Sequence, residues 1–121
     1  MSSIALNENT PFWEWAKHWS KYKCIGLSKD YRSAIQSQVR YLTHYLGDME
    51  VKSIRPFDVD YVIGELANYN PYTQKPTAKK TLRDLRNTAR NIFNYVADNT
   101  DNYTKNSADK SKLPYLLNPP A

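Results

Sequence analysis

The chain has 121 residues, enough for one domain and too few for two ordinary ones. With 40% hydrophobic and 24% charged residues it is not a disordered chain; it also lacks both a run of ~18 apolar residues for a membrane span and the basic-then-apolar layout of a signal peptide. The net charge of +5 admits an anionic partner, while the single cysteine, Cys24, excludes an internal disulfide and suits a reducing, cytoplasmic location.

Residues 1–9 read as a flexible lead-in. Thr10-Pro11 then looks like an N-cap followed by proline at the first helical position. Phe12, Trp15, Ala16 and Trp19 recur at i, i+3, i+4, i+7, so the first helix is placed at 11–22, with Gly26 as the break. Ser28 is the next N-cap. The second helix runs over 29–46 with Tyr31, Ile35, Val39, Leu42 and Leu46 on one side, and Gly47 reads as its C-terminal stop. After a connection ending in Arg55-Pro56, the third helix is placed at 56–69, with an apolar stripe of Val59, Val62, Ile63 and Leu66. Asp58 and Asp60 sit in its first turn, where the helix dipole favours negative charge. Two prolines mark 69–76 as a loop, and Thr77 is the expected cap of a fourth helix at 78–98. Leu82, Leu85, Ala89, Ile92, Phe93, Val96 and Ala97 make it the strongest periodic segment. Residues 99–112 are polar and the chain closes on Asn118-Pro119-Pro120, so 100–121 reads as a linker. No segment alternates with period two. The expectation is an all-α, compact four-helix bundle without a sheet.

Charge is sorted by element. Residues 28–47 carry +2, residues 48–68 carry −3, and residues 69–98 carry +4. On the fourth helix Lys79, Arg83, Arg86 and Arg90 recur at i, i+4, i+7, i+11, which puts them within about 60° of one another, beside the apolar stripe. Lys80 adjoins this ridge, and Asp84 and Asp98 are the acids of that helix. A solvated face usually mixes signs; four like charges on one ridge are easier to accommodate against an anionic partner. On the second helix Lys29, Arg32, Ser33, Gln36 and Arg40 share the side opposite Ile35 and Leu42. Arginine grips phosphate or guanine in a fork and glutamine matches adenine. The cations are therefore the expected phosphate contacts, and Ser33, Gln36, Thr81 and Asn87 the candidates for base contacts. Tyr41, Tyr69 and Tyr72 are further candidates for stacking. The alternative is a helical protein–protein interaction module that docks an acidic partner through the same ridge.

Nothing in the sequence points to catalysis. His18 and His44 fall on different helices without metal-binding spacing, Cys24 is too isolated for a zinc site, and there is no glycine-rich phosphate loop or nucleophile elbow. No metal or cofactor is expected.

Several segments, in order, resemble one family. Phe12-Trp13-Glu14-Trp15-Ala16 with Trp19, then Gly26-Leu27-Ser28 with Tyr31-Arg32 and Tyr45-Leu46-Gly47-Asp48, then Ile54-Arg55-Pro56-Phe57-Asp58-Val59, then Thr77-Ala78-Lys79-Lys80-Thr81-Leu82 with Ile92-Phe93-Asn94-Tyr95-Val96, are similar to the SAM-like, N-terminal core-binding domain of phage-type tyrosine recombinases (integrases). Asn118-Pro119 resembles the linker before that family's catalytic domain. Arg55 departs from the pattern, standing where the family often has a capping Thr or Ser. The resemblance implies a core-binding domain over 10–99 whose second and fourth helices clamp double-stranded DNA for integration and recombination. It also implies that the catalytic residues of the parent recombinase lie in a following domain, so that this chain is not itself an enzyme. The isolated domain is expected to be a monomer, with the parent assembling on DNA.

Overall fold

The structure, a computed structural model, describes residues 6–100. Four helices follow one another: α1 (Phe12–Lys23), α2 (Lys29–Leu46), α3 (Pro56–Asn68) and α4 (Lys79–Asp98), with a 3₁₀ turn at Val51–Ser53 between α2 and α3. Among the described residues there is no strand, only isolated bridges at Pro11–Glu50 and Asn70–Lys75. The molecule is the all-α four-helix bundle that the periodicity predicts. α4 is its spine and packs against each of the other three helices.

The core is the sum of four apolar stripes. Phe12, Trp15, Ala16 and Trp19 of α1 meet Ile35, Leu42 and Leu46 of α2, the Val59, Val62, Ile63 and Leu66 set of α3, and Leu82, Leu85, Ala89, Ile92, Phe93 and Val96 of α4. Phe12 and Phe93 pack with ring centroids 5.8 Å apart. Each large side chain fully buried in this way contributes about 1.5–3 kcal/mol. Val51 and Ile54, from the α2–α3 connection, join the core as well. Tyr31 does not: it is 55% exposed, because it turns toward α4 rather than inward, and Val39 is half-buried.

The helix starts differ in how they are capped. At α2 the Ser28 hydroxyl accepts from the Tyr31 N–H at 3.3 Å, as the sequence predicts. α1 begins one residue later than predicted, with Pro11 rather than Thr10 at the N-cap. The Thr10 hydroxyl accepts instead from the Asn7 N–H (2.9 Å). The free N–H groups of α1 are satisfied by main chain: Phe12 donates to the Met49 carbonyl (2.8 Å) and Trp13 to the Gly47 carbonyl (3.1 Å). The same corner pins the lead-in, since Lys52 donates to the Glu8 carbonyl and the Trp15 indole to the Asn7 carbonyl. Residues 6–9 are therefore tied to the bundle rather than loose; residues 1–5, and the expected linker from 101 onward, fall outside the described residues.

α3 begins on Arg55 without a hydroxyl cap. The Asp58 carboxylate reaches back to accept from the Arg55 N–H at 2.8 Å, which is the reverse half of a capping box and makes good the missing Thr or Ser. α4 begins at Lys79, and Thr77 does not cap it. The Thr77 hydroxyl is taken by the side-chain amide of Asn70 (3.3 Å). Asn70 is buried and organises the whole loop: its side-chain oxygen accepts from the N–H groups of Tyr72 and Thr73, and its backbone pairs with Lys75 and Gln74.

Two glycines act differently. Gly26 adopts φ +78°, the left-handed turn that ends α1. Gly47 is right-handed (φ −52°), so it is not the left-handed stop expected of a glycine after a helix. A Cβ there would lie 2.5 Å from the Thr43 carbonyl oxygen, so this residue is small because the chain turns sharply against its own helix.

Candidate nucleic-acid interface

The structure places the predicted site residues at four positions around α2 and α4. Lys29, Arg32 and Ser33 are exposed at the N-terminal end of α2. Gln36 and Arg40, also exposed, line a cleft between α2 and α1, together with Trp13, Lys17 and Tyr72. Lys79 and Arg83 are exposed on α4, whereas Arg86 and Arg90, in line with them, are half-buried, and Arg90 donates to the Asn87 side chain at 3.1 Å. Lys80 and Asn87 line a seam between α4 and α2, and Thr81 is half-buried on α4.

This seam is the feature that sequence reasoning missed. It is an open groove of about 420 Å³ walled on the α4 side by Lys80, Asp84, Asn87 and Asn91 and on the α2 side by Tyr31, Ala34 and Gln38. The two helices are joined at its floor by a hydrogen bond from the buried Thr88 hydroxyl to the Gln38 side-chain oxygen. Lys80 and Asp84 form an ion pair across one turn (3.2 Å). The signal for the seam is present in the sequence. Positions 80, 84, 87 and 91 repeat the spacing of the cation ridge at 79, 83, 86 and 90, displaced by one residue and hence by about 100° around the helix.

The same helical arithmetic shows how the two basic faces are related. On α4 the ridge lies about 100° around from the stripe that faces α2, and on α2 the row Lys29, Ser33, Gln36, Arg40 lies roughly 140–180° around from Gln38. The bundle therefore does not merge the cations into one patch. It sets them on the two outer sides of the α2–α4 pair, with a polar seam between them that holds Lys23 and the Lys80–Asp84 ion pair as well as amides and hydroxyls.

The aromatic residues gather in two clusters beside these faces. Tyr72, presented by the Asn70 loop, packs on Tyr41 (centroids 5.6 Å) and on His44 (5.6 Å), and the Arg40 guanidinium lies 5.6 Å from its ring centre. Of the tyrosines expected as stacking candidates, Tyr41 is half-buried beneath Tyr72, while Tyr69 and Tyr72 remain about half exposed. At the other end, Tyr95 bonds to His18 Nδ1 (2.8 Å) and stacks on Tyr22. Burial, then the Glu65 carboxylate and the phenols of Tyr61 and Tyr72, push the Tyr45 phenol up from its ordinary value; burial and Tyr22 do the same for Tyr95. Both stay neutral near pH 7 and so add no negative charge beside the cations. Both histidines are engaged with tyrosine hydroxyls, and among the described residues no group of three His, Cys, Asp or Glu side chains is arranged to hold a metal ion. No described helix is long and apolar enough to cross a membrane.

No protein-family model and no curated protein matches the chain. Among solved structures it is similar to the solution NMR structure of a fragment, residues 61–160, from Clostridium leptum, with 27% sequence identity and a TM-score of 0.71 over 88% of this chain and 91% of that one. The two share a fold.

Proposed function

We propose that the chain is the core-binding, DNA-binding domain of a tyrosine recombinase of the phage integrase type, holding duplex DNA with α2 and α4. The observation that carries this reading is that both helices of the pair carry exposed cations: Lys29, Arg32 and Arg40 on α2 and Lys79 and Arg83 on α4, with Lys80 beside the seam between them. Packed helices lie about 8–10 Å apart. With side chains each helix is about 10–12 Å across, so the pair spans about 18–22 Å between its outer sides, wider than a major groove of about 12 Å and able to reach the phosphates on either side of it. Cations in two rows can then position the two strands, while Asn87 and Asn91, both exposed, face the base edges between them. The resemblance of the sequence to the integrase domain supports the same reading. The recombination chemistry would belong to another domain of the parent protein, and this domain needs no metal or cofactor for its part.

The test is a duplex titration. With about six phosphates neutralised, affinity falls on the order of 10³-fold between about 50 and 200 mM salt. Lys79→Glu with Arg83→Glu, both exposed, removes duplex binding while leaving the helical circular dichroism unchanged. A flat salt response, or equal binding to an acidic protein that competes with DNA, would instead favour a protein-docking module.

A further inference from the structure

We propose that the cleft between α1 and α2 binds single-stranded nucleic acid, stacking a base on Trp13 and holding the adjoining phosphate between Lys17 and Arg40. The cleft has a volume of about 380 Å³ and opens to solvent between Trp13 and Lys17 of α1, Gln36, Val39 and Arg40 of α2, and Tyr72 of the loop. That is room for about one nucleotide.

Three features select this class of ligand. The first is the aromatic wall. Trp13 is 41% exposed, whereas Trp15 and Trp19 are buried at 1% and 5%. An indole left in solvent beside a cleft is a surface on which any base can stack. The second is charge. Lys17 and Arg40 line the cleft and no carboxylate does. Arg40 is also held in place, because its guanidinium lies over Tyr72, whose hydroxyl meets His44 Nδ1 at 3.4 Å and whose ring packs on Tyr41. A fixed guanidinium is a better phosphate ligand than a mobile one. The third is the mixture in the lining of half-buried Val39 with the exposed Gln36 amide, which offers an apolar seat and both a donor and an acceptor for a base edge.

The cleft does not suit a duplex, whose bases are stacked on one another and cannot present a face to Trp13. It is separate from the seam, on the other side of α2, and does not depend on the duplex reading. Gln36 and Arg40 belong to both sets of residues, but Trp13 and Lys17 belong to the cleft alone.

The experiment titrates the whole chain with a fluorescently labelled strand of about twelve thymidines at about 50 mM salt, where electrostatic binding is strong. Anisotropy gives the affinity, and tryptophan quenching reports on Trp13, the exposed indole. Trp13→Ala and Lys17→Glu should each weaken binding of the strand on the order of ten-fold and leave duplex affinity unchanged. Lys79→Glu with Arg83→Glu should do the converse. The proposal is overturned if the strand binds without quenching, if neither cleft variant changes its affinity, or if an acidic peptide containing phenylalanine displaces it as well as a second strand does. Should Trp13→Ala lose its helical circular dichroism, Lys17→Glu, at an exposed position, decides the matter alone.

Discussion

The two sides of α2 are built on different chemistry. Toward α4 the helix presents Ala34 and Gln38 and closes over a buried hydrogen bond to Thr88; toward α1 it presents Gln36 and Arg40 and leaves an indole and two cations facing solvent. One side is joined by a polar contact within the protein. The other is left to be completed from outside. A single helix can thus serve as a structural strut and a ligand-facing surface, provided the two roles fall on opposite azimuths, as Gln38 and Arg40 do.

The contrast can be tested by removing what is distinctive on each side. The largest effect on stability is expected from Gln38→Ala, which strands the buried Thr88 hydroxyl and should cost about 1–3 kcal/mol. A domain of this size would then melt lower by several degrees, which a thermal scan reads directly. If Gln38→Ala melts as the parent does, the seam is held by apolar packing alone. On the opposite side, Tyr72→Ala removes the ring beneath Arg40 and the hydroxyl beside His44, both at the surface, and should cost only about 0.5–1 kcal/mol. Its effect should be clearer in binding than in melting: the thymidine strand should be held less tightly, and the duplex, which keeps Lys29 and Arg32 on the same helix, should lose less. Equal losses for both would mean that the two sides of α2 are one surface.

The smallest effect concerns pH. The Tyr45 and Tyr95 phenols are raised in the folded state, chiefly by burial. A raised group favours the protonated form on folding, so its contribution is intact below the ordinary tyrosine value and is lost as pH rises through the folded one. Melting temperature should therefore hold through neutral pH and fall above about pH 10. Tyr45→Phe should flatten that fall, as seen in melts collected across alkaline buffers.

Much of the fold was legible because it rests on local chemistry. The four stripes follow from the spacing of apolar residues, and Ser28 caps α2 because its hydroxyl needs nothing beyond its own turn. Thr10 and Thr77 misled for the opposite reason. Each is a good capping residue, but Asn7 and Asn70 claim their hydroxyls, and in the case of Asn70 the claim comes from seven residues away across a loop. The candidate site divides in the same way. That Lys79 and Arg83 share an exposed ridge is a property of one helix. Which way that ridge faces relative to α2 depends on the roll of both helices, fixed by partners such as Thr88 and Gln38 that lie 50 residues apart. Tyr31 shows the same limit: its spacing matched the apolar stripe, but at the start of α2 that azimuth opens onto the seam instead of the core.

The start of α1 carries a consequence for sequence variation. Its first donors are met by the carbonyl oxygens of Gly47 and Met49, which every amino acid possesses. Selection for a capping side chain at positions 10 and 11 is thereby relaxed, and drift there need leave no mark on the geometry. The constraint has moved to Gly47, where a single methyl group would collide with the Thr43 carbonyl of the preceding turn and shift the carbonyl that receives the Trp13 N–H. Across relatives of this bundle, the onset of the first helix should be tracked by a glycine more than thirty residues downstream rather than by any residue beside it.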